Sequence, residues 1–360
     1  MTGPSFAFSI PIGAWHPLLP AALRSLALQE VELHVAVMDA SGDSRVRRAL
    51  DTCGLDFAYR REGADQGQAA AIAEGWRAVD GDILGWLNAD DVLMPGALAS
   101  VRSRFLTDPE VEAVYGNSAI IDAGGTVRGL HGQLADVSEA LLRSNCISQP
   151  SCFVRRHAVE RVGGLNEELV YTMDWDLWVR LFLNGARFVR TPEVFSAVFW
   201  GAGTKTAQFS ARRVWELTRL SLKYAGARSA ARTLLGLATE ASGERSALRA
   251  LAQRSARARG AQAGAVGGVF LAADKHPFEN GAPSFDLPIL NVTRDAQSAA
   301  EIAFDTPNGR VRAEPPAQVH RIGPSTWRVD FGAEIGFGAA GLLRLSAEGG
   351  PVRLEHAKWC

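Results

Sequence analysis

From Phe6 to Tyr115, short apolar runs alternate with segments of helical period, and this alternation restricts the chain to a mainly parallel sheet with helices on both faces. Strands are predicted over Phe6–Ile10, Leu33–Met38, Asp56–Tyr59, Ile83–Leu87 and Val114–Tyr115. The intervening segments, Leu18–Leu28, Arg45–Cys53, the Ala-rich Gln68–Val79 and the stretch after Pro95, read as the crossover helices that parallel neighbours need. Beyond Gly116 the alternation weakens. Residues 145–205 read as loops plus one strong helix, Trp175–Leu183, where Leu177, Trp178, Leu181 and Phe182 recur at helical spacing.

In such a sheet, ligands bind beyond the carboxyl ends of the strands, and acidic residues collect there. The segment WLNADD puts Asn88, Asp90 and Asp91 on a strand-to-helix loop. Hard carboxylate oxygens at that place suit a divalent cation bridging a diphosphate. The competing role for Asp91 is a cap on the helix after Pro95. Asp39 closes the second strand in VMDASGDS, with turn formation as its local alternative, and Asp65 precedes the helix at Gln68, where it could be a cap. In MDWDLWVRL, Asp174 and Asp176 open an amphipathic helix, whose N-terminus favours negative charge.

A chain of 360 residues predicts two or three domains. Its net charge of −1 argues against a surface built for nucleic acid. Cys53, Cys146, Cys152 and Cys360 are scattered without CxxC pairing, so neither a zinc site nor a disulfide framework is predicted, and a reducing cytoplasm fits. No signal peptide or membrane span is read, and the Asn291–Thr293 sequon is taken as accidental.

Three units are expected: an α/β domain over 1–210, a basic helical segment over 211–260, and an accessory β-domain over 264–360. Between Ala211 and Gly260 there are eleven basic residues against Glu216, Glu240 and Glu244. The last unit has short alternating strands at Thr326–Phe331, Leu342–Ala347 and Val352–His356, which predict a small β-sandwich. Trp327 alternates in phase with Val329 and Phe331 and is assigned to that core, whereas Trp359, at the chain end, is freer to act as a binding platform. The string GFGAAG at Gly336–Gly341 lacks the following helix and acidic residue of a dinucleotide site.

The ordered motifs SIPIG, VMDASGDS, DQGQAAAIAEGW, WLNADD with Pro95, VYGNSAIID, QPSCFVRR, RVGGLNEEL, YTMDWDLWVRL and TKT resemble those of family 2 glycosyltransferases of GT-A fold, over residues 5–206. The resemblance implies an inverting, metal-dependent transfer from a nucleoside diphosphate sugar to the hydroxyl of a glycan or lipid-linked glycan, in bacterial surface polysaccharide assembly. It assigns Asp39 to the nucleotide base, Asp65 to the nucleoside region, and Asn88 with Asp90 to the variant DxD motif. Asp90 would hold Mn2+ or Mg2+, with Asp91 secondary, and Asp174 would be the general base, Met173 standing where the family has Glu. Gln149, Arg155, Arg156 and Asp176 fall on the acceptor side. Gly201 replaces a family His three residues before Thr204-Lys205-Thr206, a loss for which either Lys205, as a phosphate-neutralising cation, or Trp200, closing over the donor, would compensate.

Two other functions compete. A GT-A protein that binds without catalysing is suggested by Gly201. A nucleotidyltransferase also uses carboxylates on an α/β sheet, but its Gly-rich phosphate loop is missing, since SIPIGAWHPLL has only Gly13. The basic segment predicts peripheral contact with an anionic inner membrane face, or an arginine-rich helical pair that packs on the catalytic domain and exposes its guanidiniums, and the exposed sheet edges of the last unit allow a homo-oligomer.

Overall fold

The computed structural model describes residues 3–122, 125–131, 137, 139–200, 210–241, 284–293, 295–304, 308–314, 317–347 and 354–360. Its first half follows the predicted alternation: β1 (Phe6–Ile12), α1 (Leu19–Ala27), β2 (Leu33–Asp39), α2 (Ser44–Thr52), β3 (Phe57–Glu62), α3 (Gln68–Ala78) and β4 (Ile83–Trp86). β1 pairs in parallel with both β2 and β4, and β2 with β3. Register sets Ile12 beside Asp39 and Asp39 beside Glu62, so the loops after β1, β2, β3 and β4 open along one edge. All seven residues of β1 are buried, as a central parallel strand covered on both faces requires. Helix α3 lies close on β1 because Gly75 has no Cβ, which would fall 2.4 Å from Ser9 Oγ.

After β4 the topology turns mixed. The short β5 (Asp91–Leu93) runs antiparallel to β9 (Phe188–Phe199), with Asp91 opposite Val198. Helix α4 (Ala97–Thr107) starts two residues beyond Pro95, after Gly96 at φ 75°, and no side chain caps it. The capping role for Asp91 is therefore absent. The strand predicted to stop at Tyr115 continues as β6 (Ala113–Ile121), fully buried, paired with β7 (Val127–His131), β8 (Cys152–Arg155) and β9. Between β7 and β8 lie α5 (Ala140–Arg143) and a 3-10 turn, Gln149–Ser151; α6 (Arg156–Arg161) and α7 (Met173–Leu183) precede β9.

The basic segment forms a hairpin of α8 (Ala211–Ala225) and α9 (Ala227–Ala241); its predicted remainder, 242–260, lies outside the described residues. This hairpin is not a free appendage. Leu217, Leu220 and Leu237 share a core with Trp175, Trp178 and Leu181 of α7.

The C-terminal strands are β10 (Ser284–Leu290), β11 (Gln297–Phe304), β12 (Gly309–Glu314), β13 (Gln318–Gly323), β14 (Thr326–Ile335), β15 (Ala340–Ala347) and β16 (Leu354–Trp359). They form two layers, β10-β15-β12 and β13-β14-β11-β16, the second joined to the large sheet through the pair Val127–Ala357. Leu287, Ile302, Phe304 and Trp327 belong to one apolar cluster with Leu18, Ile121 and Val127 of the first domain. Trp327 is buried against Phe304, ring centroids 4.9 Å apart, as its phase predicts. Trp359 departs from expectation. Its ring packs 5.6 Å from Phe331 and its Nε1 donates to the Leu290 carbonyl, so it is half-buried against the core and not a free sugar platform. GFGAAG is a turn leading into β15, and Asn291 is fully buried with its amide bonded to the Asp295 and Ile335 carbonyls, closed to glycosylation.

Candidate active site

Asp39 ends β2 with only 4% of its surface exposed, and its Oδ1 accepts from the Ser41 backbone N–H (2.9 Å) and hydroxyl (2.5 Å). These bonds make it the turn former that its local sequence allows. Asp65 accepts from the Gly67 N–H at 2.8 Å, and Gly67 at φ 113° turns the chain into α3. Both carboxylates face the edge to which β4 delivers Asn88.

Asn88 is the hub of that edge. Its Oδ1 accepts from Gln68 Nε2 (2.7 Å), and its Nδ2 donates to Asp91 Oδ2 (2.9 Å) and to Gln149 Oε1 (3.2 Å). Gln149 in turn donates to the Trp86 carbonyl at 2.9 Å. Asp91 is buried at 7% exposure, and Asp90 beside it is half-buried. Burial first, and then the neighbouring Asp90 charge, push the Asp91 carboxyl well above the usual range. Two adjacent carboxylates repelling one another with hard oxygen ligands fit a divalent cation, whose charge would reverse that repulsion. Among the described residues no cluster of three His, Cys, Asp or Glu could enclose an ion, so diphosphate or water oxygens would have to complete the shell.

Asp174 sits in the first turn of α7, partly open to solvent. Asn145 Nδ2 donates to its Oδ2 at 2.7 Å, and the Trp175 N–H donates to its Oδ1 at 2.7 Å. Burial nevertheless pushes the carboxyl up to about 6. The Asp174 charge also adds to the burial that raises the Cys152 thiol, which places that thiol in its neighbourhood.

Residues 145–152 thus join the two acidic centres: Asn145 holds Asp174, and Gln149 holds Asn88. Ser148 and Ser151 anchor the segment in a buried hydroxyl cluster with Ser118 of β6 and Ser196 of β9, at 2.7 to 2.9 Å. A ladder of indoles fixes the same spacing from behind. Trp76 of α3 meets Trp86 of β4 (5.5 Å), and Trp86 stacks on Trp178 of α7 (5.9 Å, 23°). Trp86 lies two residues before Asn88, and Trp178 lies one helical turn after Asp174.

Other acceptor-side expectations fall elsewhere. Arg155 pairs with Ile83 at the start of β4, the end opposite Asn88, and bonds the Val111 and Phe105 carbonyls while lying 4.8 Å over the Phe105 ring. Arg156 donates to the carbonyls of Trp76, Val79 and Gly81 and ties off the end of α3. Both guanidiniums are structural, used on backbone acceptors away from the acidic edge. Asp176, 1% exposed, accepts from Arg180 Nε (2.7 Å) and Tyr224 Oη (2.6 Å), so it locks α7 to α8. Gly201 and Lys205 lie outside the described residues.

Two supporting residues carry no motif. Asn145 is one. The other is Glu216 of α8, fully buried, whose carboxylate accepts from the Val170 and Tyr171 N–H groups and the Thr172 hydroxyl at 2.8 to 3.2 Å. It caps the approach to α7, where Thr172 itself supplies no side-chain cap. An acid at the inward phase of a basic amphipathic helix is the signal that would have found it.

The α/β sheet carries Asp39, Asn88 and Asp91 at its carboxyl edge, and residues 145–152 link that edge to Asp174. Residues 16–162 match the family model described as glycosyl transferase family 2, and the sheet has the GT-A fold of a glycosyltransferase. The O-antigen biosynthesis protein RfbC of Myxococcus xanthus is 32% identical over 165 residues, 46% of this chain but 11% of that protein. The structure of S. aureus TarS 1-349 in complex with UDP-GlcNAc superposes at TM-score 0.50 with 14% identity, covering 66% of this chain and 73% of that one. The mannosyltransferase PcManGT from Pyrobaculum calidifontis, in complex with GDP-Man and Mn2+, aligns at TM-score 0.46 with 18% identity, over 72% of this chain and 81% of that one.

Proposed function

We propose that this glycosyltransferase is inverting and divalent-metal-dependent, moving a sugar from a nucleoside diphosphate to a hydroxyl of a growing surface polysaccharide. The observation that carries the reading is Asp174: a partly accessible carboxylate with its proton affinity raised to about 6, held by Asn145 in a segment that also holds Asn88. A base with that affinity stays ionised at neutral pH and still accepts a proton readily.

Asp39 and Asp65 would bind the nucleoside, and Asp90, supported by Asp91 and Asn88, would hold Mn2+ or Mg2+. When bound, the cation supplies positive charge against the leaving diphosphate. Asp174 takes the proton from the acceptor hydroxyl as its oxygen bonds to the anomeric carbon. The bond from that carbon to the diphosphate oxygen breaks on the opposite face, its electron pair leaving with the diphosphate. One displacement inverts the centre and needs no covalent enzyme intermediate.

Surface polysaccharide as the product class is supported by the RfbC likeness, and a nucleoside diphosphate sugar as donor by the bound ligand of TarS. A thermal-shift panel of UDP-, GDP- and dTDP-sugars, each with Mn2+ or Mg2+, tests it. Stabilisation by one donor class that needs the cation is the expected result; no metal-dependent stabilisation by any donor would overturn it.

A further inference from the structure

The outward face of the α8–α9 hairpin combines exposed apolar side chains with exposed positive charge. Among the described residues, seven large hydrophobic side chains are exposed, and four of them, Trp215 (53%), Leu222 (54%), Leu234 (44%) and Leu235 (68%), lie on this hairpin. Trp215, Arg219 and Leu222 follow one another at helical spacing on the side opposite the buried Leu217 and Leu220. On α9, Arg228, Arg232 and Leu235 are exposed opposite the buried Ala230, Thr233 and Leu237. The Arg219 guanidinium lies 4.9 Å over the Trp215 ring, which keeps the charge at the level of the apolar surface. Glu216 is the sole acid between Ser210 and Leu237, and it is fully buried against the loop before α7.

We infer that this face is a docking surface for an anionic phospholipid bilayer. Cations interleaved with Trp and Leu on the outer side of a helix are the composition that settles into a headgroup layer, the rings and Leu side chains entering the acyl boundary and the guanidiniums meeting phosphate. Arg219, Arg228 and Arg232 give this face exposed positive charge on a chain whose net charge is −1, while Arg212 and Lys223 beside them are paired with Glu216 and Asp176. No described helix is long and apolar enough to cross a membrane, so the contact is peripheral. The inward side of α8 is clamped to α7 by Glu216 and by Tyr224 on Asp176. Docking therefore sets the helix bearing Asp174 one layer behind the lipid surface. The inference goes beyond glycosyl transfer and does not depend on it.

Flotation of the full chain with vesicles of phosphatidylcholine alone, or of an equal mixture with phosphatidylglycerol, tests it. Binding to the anionic vesicles only, falling with salt, is expected. The triple variant Arg219→Gln, Arg228→Gln, Arg232→Gln should weaken binding by on the order of 10²-fold, and Trp215→Ser with Leu222→Ser and Leu235→Ser should abolish it. Circular dichroism confirms that both are folded, and Leu106→Ser with Leu183→Ser, exposed leucines elsewhere, should bind as the parent. Equal binding to neutral vesicles, no binding to either, or unchanged binding by the triple variants overturns the inference. So does parent protein that does not float but self-associates in lipid-free sedimentation, with the Trp215 triple monomeric; that result assigns the face to a second copy of the chain.

Discussion

Asn145 donates a 2.7 Å hydrogen bond to Asp174, a residue 29 positions further along the chain, and so offsets part of the burial that raises the carboxyl to about 6. A bond to the ionised form favours that form. In Asn145→Ala the affinity of Asp174 for its proton rises. The acid limb of the pH–rate profile, expected near 6 in the parent, should move to higher pH with the plateau largely kept. A limb unmoved by the substitution would detach Asn145 from the base.

The same raised value has a consequence for stability. Between the ordinary Asp range near 4 and about 6, the native state holds a proton that the unfolded chain has released, so stability falls as pH rises through that window and stays lower above it. Asp174→Asn removes the ionisation. At pH 8 it should stabilise the fold, by up to about 3 kcal/mol, and at pH 4 by almost nothing. Denaturant midpoints at the two pH values check this, and equal effects at both would contradict it.

Asp90→Asn deletes a ligand charge at nearly constant volume. Metal-dependent donor binding should be lost in calorimetry, while thermal stability without metal holds or rises, because the repulsion on buried Asp91 is relieved.

Glu216→Ala strips the acceptor from two backbone N–H groups, a hydroxyl and Arg212 in a buried site. A loss of roughly 3 kcal/mol follows from leaving such groups unpaired, read as a shift in urea midpoint. Donor affinity should be nearly unchanged, because the donor edge lies on β2, β3 and β4, whereas turnover should fall through displacement of α7.

Cutting the chain near Gly260 removes β16 from its pairing with Val127 and strips Leu287 and Phe304 from the cluster shared with Leu18 and Ile121. The remaining domain should aggregate or melt at lower temperature, measured by light scattering on heating. A truncated protein as soluble and stable as the full chain would show that the shared cluster contributes little.

The parallel half of the sheet was legible because apolar runs and helical periods follow from backbone geometry over a few residues. Asp39, Asn88 and Asp91 could be placed at strand ends for the same reason. The rest depends on contacts far apart in sequence. Asn145 and Glu216 look like ordinary polar residues until the fold brings them to residues 29 and 46 positions away. Arg155 and Arg156 sit within a motif, but nothing local reveals that their guanidiniums close backbone carbonyls. Trp359 was misjudged because a chain end usually frays, whereas here the last strand pairs with β11 and covers Phe331.

The most direct test of the proposed chemistry is paired calorimetry and single-turnover donor hydrolysis, with water as acceptor, on Asp174→Asn, using the donor that the thermal-shift panel selects. Donor affinity within about twofold of the parent and hydrolysis slowed by roughly 10² to 10⁴-fold are expected for loss of a general base. Hydrolysis at the parental rate with donor binding intact would remove Asp174 from the reaction.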